Sequence, residues 1–292
     1  MRRGVLFSFA AAKLLGRLGA IVYFPLMIAV TDYLTRIGLP MPAPRPGAAL
    51  LRAVHAAHAR TIPFENLDIH LGRPISNDPD AIFEKLVRRR RGGYCFEQNA
   101  LLAAMLTELG FRTRLVLGRV TFGAKTPRPR GHLAVLVEQG GQRWLADVGF
   151  GGYGLIEPVP FVPEQAQHVG GEAYRLSAGP ADGWELHMRA SADWKSLYCF
   201  DEAPCYPVDI AVLNFYHGHC RESVFNQNRI VALAELGCRR LLTNEEFKTI
   251  RPGGVTTRRL ADEDEYRLVL RQEFGIALTA DEQLRPRLVL AE

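Results

Sequence analysis

At Gly110 the hydrophobic period of this 292-residue chain changes, and that change limits the folds open to it. Upstream, apolar residues recur at helical spacing. Downstream they fall into short runs bounded by turn residues, with a period near two. Helices first, then strands, then a mixture reads as an α+β protein in one compact body. No internal repeat, low-complexity tract or long linker interrupts it.

The helical part runs from Thr31 to Gly110. Residues 46–59 carry Ala49, Leu50, Val54 and Ala57 at helical spacing and stop ahead of Ile62-Pro63. Asp80 is a candidate cap for a helix through Ile82, Phe83, Leu86 and Val87. That helix runs into Arg88-Arg89-Arg90-Arg91, a solvated end that suits the helix dipole. The next helix starts near Cys95, buries Leu101, Leu102, Met105, Leu106 and Leu109, and stops at Gly110. Strands are expected at 111–122, 132–138, 143–148, 173–176, 184–189 and 194–200. Helices return from Ile210, with 222–237 the clearest. Strands at 239–243 and 255–260 follow, then a helix over 262–274 that resumes at 281–284.

Residues 1–26 hold Arg2, Arg3, Lys13 and Arg17 among apolar neighbours. These charges interrupt the apolar run before it reaches the roughly 20 residues a bilayer span needs, so no membrane span is expected. Met27 reads as a start into a helix capped by Thr31 or Asp32, and residues 1–26 are set aside as an extension outside the fold. Hydrophobic content of 48% and charged content of 23% suit a soluble globular enzyme. A net charge of +5 without interleaved aromatics argues against nucleic-acid binding and fits a small anionic, phosphate-bearing ligand. Five cysteines, odd in number and irregularly spaced, form neither a disulfide framework nor a zinc site and point to a reducing cytoplasm. His217-Gly218-His219-Cys220 has no second ligand cluster and reads as satisfied polar or loop residues, so no metal is expected. Nothing in the sequence fixes an oligomeric state.

The run Arg91-Gly92-Gly93-Tyr94-Cys95-Phe96-Glu97-Gln98-Asn99 places a cysteine at a helix start, where unpaired N–H groups favour the negative charge of a thiolate nucleophile. Downstream stand His132 and Asp147. A two-residue turn at Gln139-Gly140 would set them directly opposite each other, and one at Gly140-Gly141 would shift the register by two. Either leaves both side chains on one sheet face; an odd-length turn would separate them unless a bulge intervened. Parity alone therefore supports a His–Asp contact. Nucleophile, base and orienting carboxylate then form a candidate Cys95–His132–Asp147 triad of the papain-like kind. Amides at the helix start are placed to stabilise an oxyanion.

At these residues the chain resembles the arylamine N-acetyltransferase family. The similarity is carried by Ile62-Pro63-Phe64-Glu65-Asn66-Leu67, the run from Arg91 to Asn99, Gly131-His132-Leu133 and Ala146-Asp147-Val148-Gly149-Phe150-Gly151. The resemblance implies a helical bundle over 27–110 carrying the nucleophile, a β-barrel over 111–209 carrying His132 and Asp147, and an α/β lid over 210–292. It implies that acetyl-CoA, a cosubstrate rather than a permanently bound cofactor, acetylates Cys95. The group then passes to a small aromatic amine, hydrazine or N-hydroxyarylamine. Phe64, Phe122 and Phe150 would line the acceptor pocket. Glu65 and Arg91 would form a bracing ion pair, with Glu97 and Asn99 supporting the helix start. In the lid sequence the chain keeps Ser223, a candidate CoA neighbour, and Phe225, but has Cys220 where the family carries proline. Two competing chemistries use the same residues: an acyltransferase or amide synthase of secondary metabolism with another acyl thioester, and a thiol hydrolase. A non-catalytic CoA- or amine-binding module has no need of all three triad residues.

Overall fold

A computed structural model of the chain describes residues 27–40, 45–190 and 193–287; the reading of residues 1–26 lies outside them. The N-terminal part comprises α1 (Met27–Ile37), α2 (Ala48–Thr61), the short strand β1 (Phe64–Glu65), α3 (Leu67–His70), α4 (Pro79–Phe83) and α5 (Cys95–Glu108). Asp78, rather than Asp80, caps α4, its Oδ1 accepting from the amides of Asp80 and Ala81 at 3.0 Å each. The extended backbone of Asp78 and the preset angle of Pro79 in the first turn make that the better start. After Phe83 the helix widens into a π-helical stretch, Glu84–Arg88. The arginine tetrad then divides: Arg88, Arg89 and Arg90 face solvent, whereas Arg91 turns inward and is buried.

The middle of the chain supplies β2 (Arg112–Val120), β3 (His132–Gln139), β4 (Gln142–Ala146), β5 (Val159–Pro160), β6 (Ala166–Val169), β7 (Glu172–Ala178), β8 (Trp184–Ala190) and β9 (Asp193–Phe200). They pair antiparallel in the order β5-β4-β3-β2-β9-β8-β7-β6. A bridge between Pro163 and Leu176 draws the two ends together into a nearly closed barrel. On β3, Leu133, Val135 and Val137 join the core that contains α5, while Ala134 and Leu136 join a second core inside the barrel with Tyr174, Leu186 and Tyr198. Both faces are buried, which is why this strand reads as a continuous apolar run rather than an alternation.

The C-terminal part comprises α6 (Pro207–His219), α7 (Val224–Gln227), β10 (Ile230–Glu235), β11 (Cys238–Thr243), β12 (Glu246–Arg251), β13 (Gly254–Arg259) and α8 (Glu263–Phe274). The expected helix over 222–237 is overturned: only one turn forms, and Ile230–Glu235 becomes a strand. Its alanines and leucines suit a helix in isolation, but pairing on both edges decides the outcome, Ala232 lying opposite Leu241 and Phe64. No helix resumes at 281–284. The sheet order β1-β10-β11-β12-β13 ties the N-terminal part to the C-terminal one, so strand pairing crosses the expected division at 210. Leu67 and Val231 pack with Tyr266, Leu270 and Phe274 of α8 in a third core. Among the described residues no helix is long and apolar enough to cross a membrane.

Candidate active site

Cys95 opens α5 and is 2% exposed. Tyr94 before it is extended, and Glu97 Oε2 accepts from the Tyr94 amide at 3.1 Å, which sets the helix start. Beneath this turn lies a buried ion network. Arg91 donates to Glu65 Oε1 through Nε at 3.1 Å and through a terminal nitrogen at 2.8 Å, and reaches Asp68 at 3.2 Å. Lys85 Nζ stands 2.7 Å from both Asp68 Oδ2 and Glu97 Oε1. Three acids thus share two cations. Burial is the main force raising the Glu97 carboxyl; attraction to Lys85 only partly opposes it and repulsion from Glu65 and Asp68 adds to it, leaving Glu97 at about 7. Burial also opposes ionisation of Asp68, but Lys85 and Arg91 together hold it below the usual carboxylate range.

The partners of Cys95 come from the β3–β4 hairpin. Gln139 pairs with Gln142, so the turn is Gly140-Gly141, the later of the two even-length registers. Both glycines have positive φ, 59° and 77°, as a two-residue hairpin turn of matching twist requires. His132 and Asp147 consequently share the barrel-facing side, and His132 Nε2 meets Asp147 Oδ2 at 2.7 Å. The other ring nitrogen has no hydrogen bond among the described residues, and Cys95 stands close enough to influence the ring's charge. Burial by itself would push the imidazole down. The charge and hydrogen bond of Asp147, with Cys95 adding to them, reverse this and raise His132 to about 10. Asp147, likewise opposed by burial, is held low by His132, Asn99 and the Gly149 amide.

Of two residues that hold Asp147, one was given a different task by the sequence and the other was missed. Asn99, expected to support the helix start, instead clamps the hairpin: Nδ2 donates to Leu133 O at 2.6 Å and Asp147 Oδ1 at 2.8 Å, and Oδ1 accepts from the Val148 amide at 3.0 Å. The signal was its position four residues after Cys95, on the same helix face. His55 of α2 accepts from the Asp147 amide at 3.1 Å through Nε2, with Nδ1 3.2 Å from Ile156 O. Burial pushes His55 down to about 4, so it is a neutral strut. Its sign in the sequence was a lone histidine on the apolar face of a helix. Gly149 must be a glycine because a Cβ there would lie 2.7 Å from Cys95 Cα.

The three phenylalanines separate. Phe150 stands edge-on to His132, centroids 5.4 Å apart, beside Tyr198. Phe122 packs on Tyr153 at 4.9 Å. Phe64 lies 6.1 Å from Phe225, which also meets Tyr94. Ser223 is 1% exposed; its hydroxyl caps α7, accepting from the Phe225 amide at 3.3 Å, and is 3.4 Å from His217 Nδ1. His217 Nε2 reaches Gly131 O at 2.9 Å, the same oxygen that Cys95 Sγ approaches at 3.6 Å. His217 and His219 therefore do not act together: the first is a buried strut, while the second stacks on exposed Phe215.

A family profile described as N-acetyltransferase matches residues 49–283. An arylamine N-acetyltransferase of Escherichia coli (strain K12) is 38% identical over 237 residues, covering 78% of this chain and 82% of that protein. The solved arylamine N-acetyltransferase from Salmonella typhimurium superposes with a TM-score of 0.82 at 34% identity, covering 87% of this chain and 96% of the other. The Mycobacterium marinum arylamine N-acetyltransferase solved in complex with CoA gives a TM-score of 0.80 at 33% identity, over 85% and 92% of the two chains.

Proposed function

The chain belongs to the arylamine N-acetyltransferase family, and we propose that it works by a ping-pong mechanism through an acetyl thioester on Cys95. The donor is acetyl-CoA, a reading supported by the CoA complex of the Mycobacterium marinum relative. The acceptor is an arylamine, a hydrazine or an N-hydroxyarylamine. A Salmonella relative, 37% identical, is named arylamine N-acetyltransferase / N-hydroxyarylamine O-acetyltransferase.

The observation that carries this reading is the His132–Asp147 pair, joined at 2.7 Å, beside a Cys95 that opens α5 with its Sγ 3.6 Å from Gly131 O, the residue preceding His132. His132 takes the thiol proton and Asp147 stabilises the charged ring. Cys95 sulfur attacks the thioester carbonyl carbon; the carbonyl oxygen gains charge beside the first amides of α5, which lack acceptors within the helix. Collapse breaks the bond to CoA sulfur, which takes the proton back from His132 and leaves as the thiol, returning the ring to its neutral form. The amine nitrogen then attacks the acetyl carbon, His132 takes the amine proton, and Cys95 leaves as the thiolate. Phe150, against the His132 ring, lines the acceptor side, with Phe122 and Phe64 further out. Because Cys95 and His132 are each 2% exposed, the α6–α7 segment acts as a lid that opens for CoA, and Ser223 serves it as the cap of α7.

Mixing the protein with acetyl-CoA alone should place one acetyl group on Cys95, read by intact mass and peptide mapping. An active protein that never carries it would refute the thioester. Adding arylamine should accelerate CoA release well beyond the rate in water, whereas an unchanged rate would assign the chain to thiol hydrolases.

A further inference from the structure

The segment formed by α6, α7 and the Asn228 that follows is bonded very unequally to its two neighbours. Toward the helical part, Asn66 Nδ2 donates to Phe225 O at 2.9 Å and to Asn228 O at 2.8 Å. His70 Nε2 lies 3.0 Å from Asn228 O, and Asn214 Nδ2 donates to Ile75 O at 2.7 Å. Toward the barrel, a single hydrogen bond stands among the described residues, from His217 Nε2 to Gly131 O. Gly131 precedes His132, and a Cβ there would fall 2.3 Å from His217 Nε2, so only glycine lets the ring reach the carbonyl. Burial holds His217 below its ordinary value, so the ring is neutral at pH 7 and carries one N–H. A carbonyl can only accept, which puts that hydrogen on Nε2 and leaves Nδ1 to accept from the Ser223 hydroxyl. The ring is wedged against Phe225 and Phe96, centroids 4.9 and 5.7 Å away, so it has one stable position.

We propose that His217 is a positioning residue for acetyl transfer, the latch by which the lid closes on the barrel. Its Nε2–H fixes Gly131 O, and with it the backbone leading into His132; it releases that oxygen to admit the acyl donor and takes it again over the acetylated cysteine. The inference rests on the reading of α6–α7 as a lid. The unequal bonding supplies both a hinge and an opening edge. Bonds from Asn66, His70 and Asn214 keep the segment on the helical part, while loss of one hydrogen bond between neutral groups, a modest cost, frees it from the barrel. With the latch shut, Gly131 O has two donors, the imidazole N–H and the resting Cys95 thiol. Once the thiol gives up its proton, His217 alone pins that oxygen and keeps the approach to His132 in place.

The test follows alkylation of Cys95 by iodoacetamide in the full chain, without any acyl donor, across pH and by peptide mapping. His217→Ala should raise the plateau rate about five- to tenfold, the size expected for one neutral hydrogen bond. The midpoint of the pH profile should stay where it is, because the lost ring carries no charge. His217→Gln, whose amide can donate to the same oxygen, should restore the wild-type rate. Gly131→Ala breaks the contact from the barrel side and should speed alkylation by a similar factor; melting curves identify which variants are folded. With acetyl-CoA and an arylamine, His217→Ala should lower kcat several-fold without raising the KM for acetyl-CoA. An unchanged plateau in a folded His217→Ala or Gly131→Ala overturns the latch. A faster rate that glutamine does not restore overturns the hydrogen bond as its cause, and a shifted midpoint would place the effect on ionisation instead. Faster alkylation in a protein that acetyl-CoA never acetylates would refute the thioester and keep the latch.

Discussion

Two buried polar clusters flank Cys95, and they are wired differently. On one side Glu65, Asp68, Lys85, Arg91 and Glu97 satisfy one another beneath the helix start. On the other, His132 and Asp147 are held by a hairpin, and one ring nitrogen has no hydrogen bond among the described residues. Burial is similar in both. The first cluster spends its charges on geometry, and the second keeps one proton-transfer position open. A buried ion network fixes a loop; a buried pair with one unspent valence can do chemistry.

The sharpest break of this contrast is Cys95→Ser, expected to abolish acetyl transfer by about a thousandfold or more while leaving the melting temperature nearly unchanged. Near-normal turnover would remove Cys95 from the chemistry. Next comes Asp147→Asn, with a loss on the order of a thousandfold in kcat, because the ring loses its orienting partner and its charge stabilisation. The pH behaviour follows the same logic. His132 is raised from 6.5 to about 10, so its contribution to stability is complete below 6.5 and lost as pH rises through about 10. NMR of the ring should show it charged at pH 8 in wild type. In Asp147→Asn burial dominates and the ring should be neutral at neutral pH; an unchanged titration would refute the assigned cause.

Across the helix start, Arg91→Met should act on folding rather than chemistry. It strands the buried Glu65 carboxylate and should cost about 3–5 kcal/mol in denaturant unfolding. The kcat of the fraction that remains folded should fall far less than in Asp147→Asn. The opposite pattern would erase the distinction between the clusters. Asn99→Asp, isosteric, replaces a donor to Asp147 with a second carboxylate. It should lower kcat by about a hundredfold through a misplaced imidazole, with KM little changed. The smallest effect is expected at Glu97. Its carboxyl is raised from 4.5 to about 7, so the stability it contributes is present below 4.5 and declines as pH rises through 7. The advantage of wild type over Glu97→Gln should therefore shrink between pH 5 and 7.5. A constant difference in melting temperature would show that Glu97 does not titrate there.

Much of the site was legible because it depends on local rules. Cys95 announces itself by position at a helix start, and the pairing of His132 with Asp147 follows from parity. Asn99 was singled out but given the wrong task, since its partners, Leu133 O and Asp147 Oδ1, lie across the packing of α5 on the hairpin. His55 went unnoticed because an isolated helical histidine carries no signal until a strand turn is packed against it. The helix expected over 222–237 failed for a related reason. Ile230–Glu235 has a helical composition, but two open strand edges, one of them Phe64–Glu65 far upstream, offer it more hydrogen bonds and burial.

From the chain alone came the class of fold, the candidate nucleophile, and the face shared by His132 and Asp147, because these rest on periods of 3.6 and two that any short segment expresses. Tertiary structure chose between the two permitted hairpin registers, split the arginine tetrad into three solvated members and one buried ion, and assembled the braces of Asp147. Those outcomes depend on contacts between residues dozens of positions apart, where burial and hydrogen bonding outweigh local preference.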